Sequence, residues 1–372
     1  MATAVIAEVA SPAAQFGWTI TTGQRVSSAR YSGRAMGTRC AVTVAAPTTV
    51  AAVASAQAAW EMVIALDHAW SRFREDSELT ALNRALAHQA SDGFRASDGF
   101  RASDGRGVSD EQGAREGLRA NIADAEFVAV EVSAVTAALC AAMVAAYQDS
   151  AGLVDAAILD DLVAAGYDAD FDSASRIVLD THRRSVHSAA DIEVSGRVVR
   201  APRGVQLDSG GIGKGLAADL VSEVFADHPG VLVDLGGDVR ARGVDVDGQP
   251  WVVATADERP WAAAAGASPV REGSHLEQWR VTDAGVATSS VARRRWAGGH
   301  HLIDPRTGKP ARTDLLAVTA VANTALAAET ATKAALIGGG DFARAWLPDR
   351  THAAILTFTD GTVEWLGDVN TP

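Results

Sequence analysis

The stretch Val205–Val221, VQLDSGGIGKGLAADLV, limits what this chain can fold into more than any other. A short apolar run ends at Asp208, four glycines (Gly210, Gly211, Gly213, Gly215) surround Lys214, and an Ala/Leu-rich helical pattern follows. Glycine lets a backbone approach a ligand closely or take up positive φ. A helix N-terminus offers unpaired N–H groups and the positive end of its dipole, and lysine adds a mobile point charge. The combination is a candidate phosphate or pyrophosphate site; the competing reading is a tight turn that caps a helix. It is not a Walker A loop, which needs Ser or Thr after the lysine, because Gly215 follows Lys214. The dinucleotide fingerprint G-x-G-x-x-G fails as well, since counting from Gly211 and Gly213 its last position is Leu216. Any phosphate chemistry here therefore uses another geometry.

Around this stretch, strand-like runs come in hairpins with helices between them. Cys40–Ala46 reads as a strand, 51–69 as a helix ending at Trp70, and Asp76 and Ser77 as caps for a short helix through Leu82. Helical patterns cover 131–148 and part of 152–171, after a Gly–Asp turn. The run 195–208 reads as a hairpin leading into the glycine cluster, 213–227 as a helix, and 231–243 as strand, Gly-Gly turn and strand. A strand is expected in PWVVATADERP, a loop over 261–278, and two strands on either side of Asp283-Ala284-Gly285. HHLIDPRTGKP reads as strand and turn, LLAVTAVA as a strand, 324–338 as a helix stopped by three glycines, 341–347 as a last helix, and AAILTFTDGTVEWLG as a hairpin turning at Asp360-Gly361. This order predicts an α+β fold with a mixed, largely antiparallel sheet and packed helices, not a doubly wound parallel one.

The 372 residues are 48% hydrophobic, ample for a large core. A net charge of −13 argues against general nucleic-acid binding, which wants a basic footprint. Cys40 and Cys140 sit far apart in apolar surroundings and read as buried thiols. No apolar run reads as long enough to span a membrane. The N-terminus lacks a basic n-region and Glu8 interrupts its apolar part, so a cytoplasmic protein is expected. Its first 30 residues are expected to be loose, with one compact unit over 31–366. Within that unit, 90–105 repeats ASDGFR directly, and 88–121 reads as an expanded surface loop.

Several separated strings then coincide in one order: Met36-Gly37-Thr38, SRF with DSELTALN, Gly152 with Asp155, LDSGGIGKGLAAD, VDLGGD, ATSS and HHLIDPRTG. Together they resemble the ApbE family, the FAD:protein FMN transferases, over about residues 31–366. The resemblance implies a fold related to the tunnelling folds, FAD as substrate, Mg²⁺, and an acceptor flavoprotein presenting a Thr or Ser hydroxyl to which FMN is joined as AMP leaves. Some members mainly hydrolyse FAD to FMN and AMP; a flavin-binding protein without turnover is a third reading.

The same resemblance assigns roles. His301, before the D-P-x-T-G turn, would deprotonate the acceptor hydroxyl, and its neighbour His300 would point the other way on a strand. Lys214 and the amides of Gly210, Gly211 and Gly213 would neutralise phosphate charge. Met36 would line the flavin pocket, unless it is simply a core methionine. Asp208 is the better candidate ligand contact than Asp219, which falls inside a helix. Thr288, Ser289 and Ser290 would hydrogen-bond flavin or phosphate. Asp304–Gly308 would be scaffold holding His301. The family's late helix carries A-D-x-x-x-T for Mg²⁺; here Glu329 takes the Asp position and Lys333 the Thr position. An ammonium repels Mg²⁺. Three outcomes follow: Lys333 supplies part of the metal's charge, the metal shifts to Thr332 or Thr330, or Glu329 and Lys333 form an i, i+4 ion pair on the helix surface.

Overall fold

A computed structural model of the chain describes residues 17–23, 25–87, 126–167, 187–259, 275–296 and 299–367. The ASDGFR repeat and the expected loop 88–121 lie outside the described residues, as do residues 1–16.

Nine strands form one sheet: β1 (Gly17–Thr22), β2 (Ser27–Ala35), β3 (Thr38–Ala46), β4 (Gly230–Leu235), β5 (Val239–Gly243), β6 (Gly285–Ser290), β7 (Leu315–Ala322), β8 (Ala353–Phe358) and β9 (Val363–Gly367). They lie side by side in chain order, and every neighbouring pair is antiparallel. Tight turns explain much of this order. Met36 and Gly37 both have positive φ (51° and 68°) between paired Ala35 and Thr38, the two-residue loop that matches strand twist. Gly236 and Gly237, also at positive φ, turn β4 into β5.

The sheet is covered on both faces, so its central strands read as continuous apolar runs. All eight residues of β7 are buried. Alternate residues serve opposite sides. Ala287, Ala322 and Ala328 cluster on the helical side, while Val286, Val321 and Ile355 pack with Trp251, Val253, Trp279 and Val281 of an antiparallel ribbon, Trp251–Ala256 with His275–Val281. The ribbon corrects one expectation and separates two neighbouring strands. Residues 275–278 are strand rather than loop, and the strands flanking Asp283-Ala284-Gly285 belong to different sheets.

The helices are α1 (Thr49–Trp70), α2 (Glu78–Ala87), α3 (Ala134–Asp149), α4 (Leu159–Ala164), α5 (Gly213–Val224), α6 (Ala325–Gly338) and α7 (Gly340–Trp346). Helix α1 lies on β2 and β3, α5 on β4 and β5, and α6 on β6 and β7. By length and composition α1 is apolar enough to cross a membrane, contrary to the expectation for this chain. Here its Ala52, Ala56, Ala59, Val63, Leu66 and Trp70 are buried in the main core. Of the segment expected to be loose over 1–30, the described residues from 17 on are corrected: β1 pairs residue for residue with β2, and Trp18 packs edge-on against Tyr31, 4.9 Å between ring centroids. Cys40 and Cys140 are buried free thiols whose pKa values burial pushes up to about 12.

Candidate active site

Helices α5 and α6 meet at a glycine. A Cβ on Gly215 would lie 2.7 Å from the Ala325 carbonyl oxygen, so only glycine permits this approach. None of Gly210, Gly211, Gly213 and Gly215 has positive φ; the cluster contributes close packing rather than left-handed turns. A cap borrowed from the neighbouring helix fixes the register of α6. Asp219 of α5 accepts from the amides of Ala325 and Leu326, both at 2.9 Å, beside the helix's own Thr324 cap. Asp219 is thus a structural anchor between the two helices.

The close approach places Glu329, fully buried, beneath the glycine stretch. Its Oε2 accepts from the Gly215 amide at 2.7 Å, and its Oε1 accepts from Lys333 Nζ at 2.8 Å and Lys214 Nζ at 3.2 Å. Lys214 also pairs with buried Asp238 of the β4–β5 turn. Burial alone would raise the Glu329 carboxyl; the two ammonium groups outweigh it and hold the pKa below the usual range. Lys214 is pulled down to about 8, chiefly by burial, against Glu329 and with repulsion from Lys333 and Arg294. Of the outcomes the sequence leaves open, the i, i+4 ion pair forms, but inside the protein rather than on a helix surface. Both carboxylate oxygens are committed to cationic or N–H donors, and no group of three His, Cys, Asp or Glu side chains suited to a metal ion occurs among the described residues. This donor set does not fit Mg²⁺, because the expected ligand Glu329 is already neutralised by ammonium groups that would repel the ion.

Two cavities meet over this cluster. The first, about 470 Å³, is lined by Met36, Trp70, Arg72, Phe73, Tyr167, Asp208 and the residues around Gly211. The second, about 760 Å³, lies between β6 and the ribbon and is lined by Thr288, Ser289, Ser290 and Arg295. Both are of the size small-molecule sites have. Gly37, Gly210, Lys214, Arg294, His301 and Lys333 line both and form the neck between them. Of the residues singled out from sequence, Met36, Asp208, Gly210, Gly211, Gly213, Lys214, Thr288, Ser289, Ser290, His301 and Lys333 line one cavity or both, while Asp219 and His300 line neither and Glu329 supports the neck from below.

The first cavity is shaped by contacts across more than 120 residues of sequence. Asn83 of α2 donates to the Leu207 carbonyl and accepts its amide, both at 2.9 Å, and the Ser209 hydroxyl donates to the Trp70 carbonyl at 2.8 Å. Arg72 Nε pairs with Asp208 at 2.7 Å. Asp208 also accepts from the Gly210 amide, so its carboxylate builds the wall rather than waiting for a ligand. The Arg72 guanidinium lies over the rings of Phe73 and Tyr167, 4.2 and 4.7 Å from their centroids, and the two rings meet edge to face at 73°, which makes this wall aromatic. Met36 projects from a backbone at positive φ, an uncommon conformation for a side chain of its size.

In the second cavity the hydroxyls are tied into the sheet. Thr288 bonds Thr319 and Ser289 bonds Thr332 of α6, each at 2.9 Å, while Ser290 caps the amide of Ala292. Beyond them comes Arg293-Arg294-Arg295. Arg293 makes a bidentate pair with buried Glu258, at 2.8 and 2.9 Å. Arg294 stands at φ 47° and has no hydrogen-bond or ion-pair partner among the described residues.

The two histidines divide as expected. His300 bonds the Ala311 carbonyl through Nε2 and accepts the Leu302 amide at Nδ1, which occupies both ring nitrogens. His301 Nδ1 is buried without a partner. Burial first, then Arg294, Lys333, His300 and Lys214, drive its pKa well below 6.5, so the ring is a neutral base at pH 7. The turn after it is closed mainly by its own hydrogen bonds, with Arg306 also reaching the Ile337 carbonyl of α6 at 3.4 Å. Asp304 accepts from the Arg306 amide and guanidinium, and its carbonyl accepts from Thr307 and Gly308. Sequence reasoning assigned no role to Arg72, Asp238 or Arg294. The first two sit inside strings already singled out, SRF and VDLGGD, and the triple arginine was a visible charge cluster.

Residues 108–356 match the model of the ApbE family. The chain is similar to proteins named FAD:protein FMN transferase from Haemophilus influenzae (29% identical over 146 residues, 37% of this chain and 39% of the relative) and Salmonella typhimurium (32% over 130 residues, 33% and 34%). A further one, from Treponema pallidum, is 34% identical over 148 residues, 36% of this chain and 38% of the relative. The chain thus spans little more than a third of the length of these curated relatives. Its fold is that of a solved structure named flavin transferase ApbE from Vibrio cholerae, with a TM-score of 0.67 at 18% identity over 92% of this chain and 97% of that one. The Thermotoga maritima ApbE protein is similar too, with a TM-score of 0.64 at 22% identity over 90% and 96%.

Proposed function

The chain belongs to the ApbE family, and from that premise we propose that it transfers the FMN half of FAD to a Thr or Ser hydroxyl of a partner protein, releasing AMP. One observation carries the reading: a neutral histidine with an unpartnered ring nitrogen stands among cationic side chains at the neck joining two ligand-sized cavities. A dinucleotide lying across the neck would put its pyrophosphate against Lys214 and Lys333.

His301 would take the proton of the acceptor hydroxyl. The hydroxyl oxygen then bonds to the flavin-side phosphorus, the bridging P–O bond breaks, and AMP leaves with that oxygen. Charge on the phosphoryl oxygens in the transition state would be met by the lysine ammonium groups, already fixed by Glu329 and Asp238 and needing no reorganisation. The wall formed by Phe73 and Tyr167, set edge to face, offers aromatic contacts for a planar ring. The residues present do not fit Mg²⁺, so no step is assigned to it.

The test is mass spectrometry of the protein incubated with FAD and an acceptor domain carrying a candidate Thr, with Mg²⁺ or EDTA. An acceptor heavier by FMN, together with AMP, is the expected result. AMP and FMN without acceptor labelling would assign hydrolysis instead, and intact FAD in every arm would remove the catalytic reading.

A further inference from the structure

The neck is over-supplied with cations relative to what the protein uses. Lysine has three N–H donors and arginine five. Lys333 spends one on Glu329, and Lys214 spends one each on Glu329 and Asp238. Arg294 spends none on any described residue. All three line both cavities and surround His301, whose pKa each of them depresses. They also repel one another, since Lys333 and Arg294 both lower the pKa of Lys214. Like charges gathered with unspent donors are stabilised by a polyanion that bridges them. Arg294 is held there by its neighbour: the buried Glu258 clamp on Arg293 fixes the segment, and the left-handed backbone at Arg294 turns the next side chain toward the neck.

We propose that Lys214, Lys333 and Arg294 hold the pyrophosphate of the dinucleotide directly, in place of a divalent cation, so that this chain binds its substrate without a metal. Lys333 is the specific determinant, because it neutralises the one carboxylate on α6 that would otherwise recruit a cation. Arg294 is the second, an arginine fork reaching the same anion from the ribbon side. The inference rests on reading the cleft as a dinucleotide site, and the experiment separates the two.

The experiment is titration of FAD, ADP, inorganic pyrophosphate and riboflavin into wild type, Lys333→Met and Arg294→Gln, in EDTA and in Mg²⁺. Flavins are followed by fluorescence and the other ligands by calorimetry. Wild type should bind FAD, ADP and pyrophosphate equally well, within about twofold, in EDTA and Mg²⁺. Each variant should lose about tenfold or more for the three phosphate ligands, the scale of a lost hydrogen bond to a charged group, and keep riboflavin affinity. Lys333→Met, which leaves Glu329 a cation short, should regain part of its FAD affinity on adding Mg²⁺.

Wild-type binding of the phosphate ligands that falls tenfold in EDTA would overturn the proposal. So would variants that bind all four ligands like wild type, or lose riboflavin equally. Should Lys333→Met fail to fold, Arg294→Gln decides, because its side chain supports no described contact. Metal-free pyrophosphate binding without FAD binding would sustain the inference and sink the proposed function. FMN transfer that demands Mg²⁺ for FAD binding would do the reverse.

Discussion

At the residue scale, the chemistry turns on two groups that burial moves in useful directions. His301 has its pKa well below 6.5 and Lys214 has its pKa lowered to about 8. A neutral base and a charged ammonium therefore coexist over a window ending near pH 8. The expected kcat/KM profile is level through pH 7. It falls above about 8 as Lys214 loses its proton, and falls on the acid side only well below 6.5 as His301 gains one. A profile rising steadily through pH 9 would remove Lys214 from the anion site. Replacing His301 by Asn should lower transfer by about 10²–10⁴, the usual worth of a positioned base. FAD affinity, measured by fluorescence, should stay unchanged, because that imidazole is uncharged in the free protein.

At the scale of elements, the site depends on how α5 and α6 are held together. Asp219 reaches from one helix to cap the other, so Asp219→Ala should cost about 0.5–2 kcal/mol of stability, read as a lower midpoint in urea. It should also weaken FAD binding, because α6 carries Glu329 and Lys333. Gly215→Ala pushes a methyl group against the Ala325 carbonyl and the Leu326 Cα, 2.7 and 2.8 Å away. Overpacking of this kind costs about 1–3 kcal/mol, and the shift separates Lys214 from Glu329. A Gly215→Ala protein with wild-type stability and FAD affinity would show that the helices have slack there.

Across the whole molecule, long-range ties assemble the first cavity, and one of them is pH-sensitive. Asp155 accepts the amides of Ala157 and Ala189, 2.8 and 2.9 Å away, joining segments 34 residues apart. Burial raises its pKa to about 6 from 3.8. The folded state therefore holds a proton that the unfolded state has released between those values. The stabilisation from that proton is complete below 3.8 and is lost as pH rises through 6. Asp155→Asn keeps the acceptor oxygen and removes the titration. The stability of the variant relative to wild type should therefore rise by up to about 3 kcal/mol between pH 3.5 and 7, one pKa unit being worth 1.36 kcal/mol. A difference independent of pH would show that Asp155 titrates normally.

The sequence by itself determined the local structure. Period-2 and period-3.6 patterns placed the helices α1–α7 and the main-sheet strands β3–β9 but not β1 or β2, and Asp360-Gly361, Gly236-Gly237 and the glycines after α6 marked their turns, because those preferences act over a few residues. It also carried enough ordered strings to point to the family. Tertiary structure decided which groups meet. Lys214 and Glu329 are 115 positions apart, and Asn83 and Leu207 are 124 apart. Nothing local distinguishes a lysine that pairs on a helix surface from one whose partner is drawn into the core. Lys333 could be read as a surface ion pair or as a stand-in for metal charge. Only the approach of α5 to α6 at Gly215 buries Glu329 between two ammonium groups and so sets the charge of the site. The strands flanking Asp283-Ala284-Gly285 follow one another closely in sequence, yet one joins the main sheet as β6 and the other pairs in the ribbon packed on that sheet's face. Local propensity writes the elements; long-range burial and charge pairing select the neighbours that make a binding site of them.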